Sequence, residues 1–350
     1  MMKAKTTIGI MVMLMTLAGM TACDNEDNTI ENTDTTNPHD VNKVIEIAWK
    51  LYGFGTVGEE HVQEVTGRVN YQGVERNYII TFTDEGSFMG RTLNNTFSGH
   101  YSIDGNTIVI SELDSSMAGE TEEGYKLFSV LESGPLQFET KGDQLLVYYN
   151  EGQEYILFSK MTHEQEPYEA FLKEGKIWNY TYKNPDGTQC MKSLIVRGDT
   201  TINDLAYKKI YDVSSDDYQY ALREEGKRVY CKHQDSDTPV LLYDFSKNHG
   251  EKVSEEMNQE FRIVERVYEA DLVKRGDYLL RRMTVIQYQI SLDNTKSDGA
   301  KIIGIGRWVE GLGNLYGLDT PFDYGGNYYT FDSCWIGDEL FANKGVFGQW

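Results

Sequence analysis

The sequence predicts an all-β protein, mainly antiparallel, with one short helix in the first of two β domains. Three observations carry that reading. The 350 residues include 24 Tyr and 14 Phe, types that suit a pleated, half-buried surface. Short runs of Val, Ile, Thr and Tyr are separated by Gly, Asn and Asp, the pattern of strands joined by tight turns. Helical periodicity is scarce, and connections too short for helical crossovers favour antiparallel neighbours. At about 100–200 residues per domain, the length suits two domains, each with its own core.

The elements follow in chain order. Residues 77–83 make a strand ended by Asp84, Glu85 and Gly86. Residues 98–103 and 107–110 flank Asp104, Gly105 and Asn106, a hairpin turn in which Gly105 can take positive φ. Residues 122–131 place Tyr125, Leu127, Phe128 and Leu131 at helical spacing behind acidic residues suited to a helix N-terminus. That helix packs on, or closes one end of, a curled sheet. A second hairpin joins 145–149 to 155–158 around Asn150, Glu151 and Gly152. After a polar stretch at 161–167 that suits a linker, residues 171–176 read as a brief helical turn, and strands follow at 177–182, 191–196, 207–213, 218–223, 228–232, 240–245, 261–268 and 278–291. Pro185, Asp186 and Gly187 form a strong turn, because proline presets one corner and glycine relieves the next.

Several of these segments are familiar together. Trp49-Lys50-Leu51, Phe82-Thr83-Asp84-Glu85-Gly86-Ser87-Phe88-Met89-Gly90, Asn95-Thr96-Phe97-Ser98-Gly99-His100-Tyr101, the helix, Gln144-Leu145-Leu146 and Leu157-Phe158 resemble the META, or heat-shock HslJ-like, domain over residues 43–161. A lipocalin-like β domain is the related architectural expectation. The resemblance implies no established catalytic residues. The run from Gly175-Lys176-Ile177-Trp178 to Trp308-Val309-Glu310-Gly311-Leu312-Gly313 resembles the C-terminal region of uncharacterised two-domain lipoproteins of Bacteroides type, so residues 168–350 are expected to form a second antiparallel β domain.

The N-terminus reads as an export signal. Lys3 and Lys5 precede an apolar run at residues 8–17, near the usual ~7–15 residues and short of the ~20 that a spanning helix needs. Met20-Thr21-Ala22-Cys23 resembles the lipobox of bacterial lipoproteins. The resemblance implies cleavage after residue 22 and acylation of Cys23, whose several chains would hold the protein on a lipid bilayer. Residues 23–42 then form a disordered tether: from 24 onward they hold six acidic residues and no Lys or Arg, with too little apolar surface to offset the entropy of ordering. An acidic run after the lipidated cysteine resembles a lipoprotein surface-export signal. The expected address is the outer membrane, on the cell surface or otherwise facing the periplasm.

Charge and motifs exclude several functions. A formal net charge of −22 without a basic patch argues against nucleic acid as a partner. Beyond Cys23, the spacing of Cys190, Cys231 and Cys334 gives no metal site; buried thiols are the expectation, with a bridge between Cys190 and Cys231 as the alternative. Gly304-Ile305-Gly306 and Gly311-Leu312-Gly313 do not complete a dinucleotide loop and read as tight turns. None of His39, His61, His100, His163, His233 and His249 forms a close metal pair, although His61 and Glu64 would share a helical face. Asp212, Asp216 and Asp217, and Asp293, Asn294 and Asp298, lack the EF-hand order and suit polar turns. No metal and no cofactor is expected.

The remaining functional signal is aromatic. Tyr218 and Tyr220, and Tyr324, Tyr328 and Tyr329, place rings near turns, where they would stack on sugars or dock a protein. Strand propensity and core filling account for the same residues. The sequence therefore points to a surface lipoprotein that binds a glycan or protein ligand. A glycan-processing hydrolase and a META-like envelope-stress protein are the alternatives.

Overall fold

The computed structural model describes residues 43–65, 68–69, 75–116, 118–161, 168–184, 186–275, 278–292, 300–322 and 329–346. Cys23 with its signal and tether, the 162–167 part of the linker, Pro185, Asp293, Asn294, Asp298, Tyr324 and Tyr328 lie outside the described residues. Mainly antiparallel β structure with one short α-helix is observed among the described residues.

The first half contains β1 (Ala48–Thr56), β2 (Val62–Glu64), β3 (Arg68–Val69), β4 (Glu75–Arg76), β5 (Ile79–Phe82), β6 (Ser87–Arg91), β7 (Thr96–Asp104), β8 (Thr107–Ser115), α1 (Glu122–Leu131), β9 (Leu136–Lys141), β10 (Gln144–Tyr149) and β11 (Glu154–Lys160). Its main sheet runs β11-β10-β9-β8-β7-β6-β5-β1-β2, and β1 also pairs with β11. That extra pairing closes the sheet into a barrel. One edge of β1 takes β11 along its length, while β5 and β2 share the other edge in succession. Trp49, Leu51, Ile80, Phe82, Phe88 and Phe158 help fill the interior. The helix closes over them, contributing Leu127, Val130 and Leu131 to the same core. It starts where expected because Thr121 Oγ1 accepts the Gly124 N–H at 3.1 Å and Glu122 and Glu123 face the positive end of the helix dipole.

The second half contains β12 (Lys176–Lys183), β13 (Gln189–Ile202), β14 (Leu205–Asp212), β15 (Tyr218–Glu225), β16 (Arg228–His233), β17 (Val240–Asp244), β18 (Lys252–Met257), β19 (Phe261–Arg275), β20 (Tyr278–Ser291), β21 (Lys301–Val309), β22 (Gly313–Asn314), β23 (Thr330–Ile336) and β24 (Glu339–Asn343). One sheet runs β17-β16-β15-β14-β13-β12-β23-β24 and the other β18-β19-β20-β21-β22. The two sheets share one core, in which Trp178, Tyr180, Leu222 and Tyr243 meet Val267, Met283 and Trp308. The Trp308 indole N–H is satisfied by the Pro321 carbonyl at 2.8 Å.

Four local expectations are corrected. Residues 171–175 form a bend and turn, not a helical turn. Their backbone groups are satisfied by side chains instead: Glu224 accepts the N–H groups of Phe171 and Leu172 at 2.7 and 3.0 Å, and buried Lys176 donates to the Phe171 carbonyl at 3.0 Å. Residues 62–64 are strand β2, held by pairing with β1, so His61 and Glu64 share no helical face. Gly304 and Gly306 sit inside β21, not in a turn. A Cβ on Gly306 would lie 2.4 Å from the Pro321 carbonyl, which makes glycine a close-approach residue there. Gly311 and Gly313 do take positive φ, at 75° and 84°. Tyr220 is the fourth correction and is taken up with the site. Cys190, Cys231 and Cys334 are free thiols, the last two buried.

Candidate functional site

One residue of β19 organises the junction between the barrel and the second half. Val267 pairs with Val285 and Glu269 with Thr284, which leaves Tyr268 as an extra residue in a β-bulge. Strand alternation has period two, so one extra residue reverses which face the following side chains occupy. Val267 and Ala270 consequently both enter the core, although they are three apart. Arg266 and Asp271, five apart, both turn to the barrel.

The two residues anchor two ion-pair clusters. Arg266 grips Glu46 through both terminal nitrogens at 3.0 Å and reaches Glu85 at 2.7 Å. Asp84 accepts from Lys252 at 2.7 Å and Arg262 at 2.8 Å. Burial pulls the Asp84 carboxyl up, but these two cations outweigh it and hold it well below the usual carboxylate range. Glu46, Asp84 and Glu85 lie within 4.8 Å of one another, a carboxylate group able to hold a cation. Three basic side chains already engage those carboxylates, so the group works as a clamp. In the other cluster, Asp271 accepts from Arg91 at 3.0 Å and Arg282 at 3.4 Å, with Arg76 at 3.5 Å. Thr81 Oγ1 donates to the His249 carbonyl at 2.7 Å between them.

Beside this junction opens a cleft of 730 Å³. Its barrel wall is the outer surface of β6, β7 and β8, with Ser87, Met89, Ser98, His100, Glu112 and Asp114. The opposite wall, from β19 and β20, carries Val264, Tyr268, Tyr288 and Ile290. One wall is rich in hydroxyls and acids, the other in rings and aliphatic groups. A second bulge shapes the barrel wall. Ser98 pairs with Asp114 and His100 with Ser111, so Glu112 and Leu113 face Gly99 together. Glu112 adopts φ 54° within the strand, a backbone conformation costly for a non-glycine residue and often retained where a side chain must be aimed. Gly99 permits the close approach, since a Cβ there would lie 2.6 Å from the Glu112 carbonyl. Both partners of the loose His100–Glu112 contact, at 3.8 Å, are exposed. Tyr268 is 37% exposed, whereas burial pushes the Tyr288 hydroxyl up from its ordinary pKa.

The tyrosines singled out by sequence lie elsewhere. Tyr220 is 2% exposed and points into the second-half core, because its place on β15 between Ile210 and His233 faces inward. It is therefore corrected from a ligand contact to a core residue. Tyr218 is half-buried against Tyr211, with ring centres 5.7 Å apart. Tyr329 packs on Tyr182 at 5.1 Å. None of the three lines the cleft. Tyr268 and Tyr288 were inside or at the end of recognised strands, but nothing in a sequence marks which strand tyrosine will stand at a bulge.

The fold and junction define a class: a closed antiparallel barrel module clamped onto a second, two-sheet β unit with a cleft between them. The barrel module has a counterpart among known families. Residues 44–162 match the family model of the META domain. Among solved structures, the chain is similar to a DUF4847 family protein from Bacteroides vulgatus, at 17% identity and TM-score 0.28, covering 34% of this chain and 96% of that one. It is also similar to a protein from Burkholderia xenovorans, at 16% identity and TM-score 0.27, covering 41% of this chain and 100% of that one. No curated protein matches the chain.

Proposed function

We propose that this META-domain protein is a lipoprotein of the outer membrane, anchored through acylated Cys23 and displayed at the cell surface, that binds an uncharged or basic oligosaccharide in the junction cleft. The two unlike walls of that cleft carry the reading. Tyr268 and Tyr288 offer rings for the C–H faces of a sugar, and Ser87, Ser98, His100, Glu112 and Asp114 offer polar groups for its hydroxyls. Arg266, the cation of the lining, is engaged by Glu46 and Glu85, so an anionic ligand would meet Glu112 and Asp114 without a cation to answer it. Both walls are sheet faces whose backbone groups are bonded within their own sheets, which favours recognition by side chains over addition of a peptide strand.

The test is glycan-array and calorimetric binding by the full-length protein in detergent. Tyr268→Ala is expected to weaken binding at least tenfold, with circular dichroism unchanged. Equal binding by the wild type and Tyr268→Ala defeats the cleft assignment, and turnover abolished by Glu112→Gln would replace binding with hydrolysis. For the anchor, palmitate labelling lost in Cys23→Ala and digestion by protease on intact cells are expected. Complete protection from protease would refute surface display.

A further inference from the structure

We propose that the outer face of the eight-stranded sheet is a binding platform for a single linear, uncharged polysaccharide chain. None of its residues lines the junction cleft, so the proposal does not depend on the reading given to that cleft. Five adjacent strands each contribute one side chain to a row. Trp335 on β23 pairs with Ile177 on β12, Ile177 with Ile195 on β13, Ile195 with Tyr211 on β14, and Tyr211 with Tyr218 on β15. Residues paired across a sheet share a face, and the chain neighbours Cys334, Trp178, Leu194 and Ile210 all enter the core. The row therefore points away from the core, and its five side chains are half-buried. A register shift in the β14–β15 pair puts Tyr218 in this row, although Tyr220 stands opposite Ile210 and faces inward. At about 4.8 Å per strand, the row runs across the sheet for roughly 19 Å.

Rings stand at both ends of the row and aliphatic groups in the middle. The Trp335 indole is oriented by donation from its N–H to Ser333 Oγ at 3.3 Å. Tyr218 meets Tyr211 edge-on, with ring centres 5.7 Å apart. Arg197 lies over the Tyr211 ring at 4.2 Å and is paired with Asp216. Such rings suit the C–H faces of sugars. Beside them runs a polar ladder, in which Ser193 Oγ donates to Asn179 Oδ1 at 2.6 Å and Asn179 Nδ2 donates to Ser333 Oγ at 3.1 Å. The ladder fixes the amide and keeps one Asn179 N–H and the Ser193 oxygen for ligand hydroxyls. Size then selects the occupant. Five half-buried side chains leave on the order of 300 Å² exposed, well short of the ~800 Å² per partner of a standard protein interface. All five strands have neighbours on both sides, so this face offers no edge to which a peptide strand could add. A thin chain with apolar faces and hydroxyl edges fits, and a row made only of Trp, Ile and Tyr favours a neutral one.

The experiment is affinity electrophoresis of the full-length protein in a neutral detergent, in native gels that contain mannan, xylan, amylose or dextran in turn. Retardation by at least one of them is expected. Titration with the same polysaccharide should also shift tryptophan emission, since Trp335 is half-buried on the platform whereas Trp49, Trp178 and Trp308 are buried. Trp335→Ala and Tyr218→Ala should each weaken binding about tenfold, the worth of one ring contact. Tyr218→Phe keeps the ring and should bind as the wild type, with circular dichroism unchanged in all three variants. Tyr268→Ala alters the cleft alone and should leave this retardation as it is, so the platform and the cleft fail separately. Three results would each overturn the platform: retardation by none of the polysaccharides, equal retardation of the wild type and both alanine variants, or a wild-type dimer that Trp335→Ala converts to monomer, which would give the face to a second copy of the chain.

Discussion

Asp271 shows how much of this molecule depends on single buried charges. Its side chain is 2% exposed, and burial alone would raise its pKa. Arg91, Arg76 and Arg282 outweigh that effect and hold the carboxyl below its ordinary value. Asp271→Asn leaves those arginines without their carboxylate, and breaking a buried pair typically costs about 3–5 kcal/mol. Urea unfolding at pH 7 should show a loss of that order. The folded pKa is depressed, so the stabilisation is present above the unfolded value of about 3.9 and disappears as pH falls through the folded one. The gap between wild type and variant should therefore close in acid; a gap that persists below both values would refute the assignment. Glu265 has the opposite sign, because burial raises its carboxyl while Gln287 bonds it at 3.0 Å. Ionised Glu265 is thus a burden at neutral pH and not in acid. Glu265→Gln should raise stability at pH 7 and change little at pH 4, as read by Tm at both values. Neither role was legible in the sequence. Arg91 and Asp271 are 180 residues apart, and no local pattern links them.

Elements set by local chemistry were the legible part. The helix at Glu122–Leu131 matches its sequence reading because its cap, acidic first turn and apolar spacing all lie within a few residues. The Asp104-Gly105-Asn106 hairpin follows for the same reason, with Gly105 at φ 57°. β19 was not legible in full: the reading stopped at Tyr268, whereas the strand continues to Arg275. A bulge interrupts the alternation used to recognise a strand, so the sequence pattern breaks where the hydrogen-bonded ladder does not. This makes Tyr268 a test of an element and not only of a side chain. Deleting it should restore strict alternation with the register unchanged, because Arg266 and Asp271 would then stand four apart and both still face the barrel, giving a protein that elutes as the wild type in size-exclusion chromatography. Tyr268→Ala keeps the residue count and should elute as the wild type. A deletion variant that aggregates, or that loses the Asp271 contacts with Arg91, would show that the extra residue does more than reverse the alternation.

At the scale of the whole molecule, the halves are held by groups that alternate between charge and close contact. Gly250 takes φ 80°, and a Cβ there would lie 2.4 Å from that of Thr81 on the barrel. Gly250→Ala therefore combines backbone strain with overpacking, a cost of about 1–3 kcal/mol by the second effect alone. Since the contact lies between the halves, the loss should appear as lost coupling. Circular dichroism and tryptophan fluorescence during urea unfolding should show two transitions in place of one; a single, merely shifted transition would mean that the halves are coupled elsewhere. The closed seam of the barrel has a further, mechanical consequence. Because β1 pairs antiparallel with β11, Trp49 lies opposite Lys160, and the chain enters and leaves the barrel at one rim. A pull between those two ends would unzip the seam one bond at a time, the weakest direction in which to load a sheet. Glu46 precedes β1, and both of its carboxylate oxygens are gripped by Arg266 across the junction. Tension arriving from the N-terminal side meets that latch before the seam, so the barrel is strain-relieved by its neighbour.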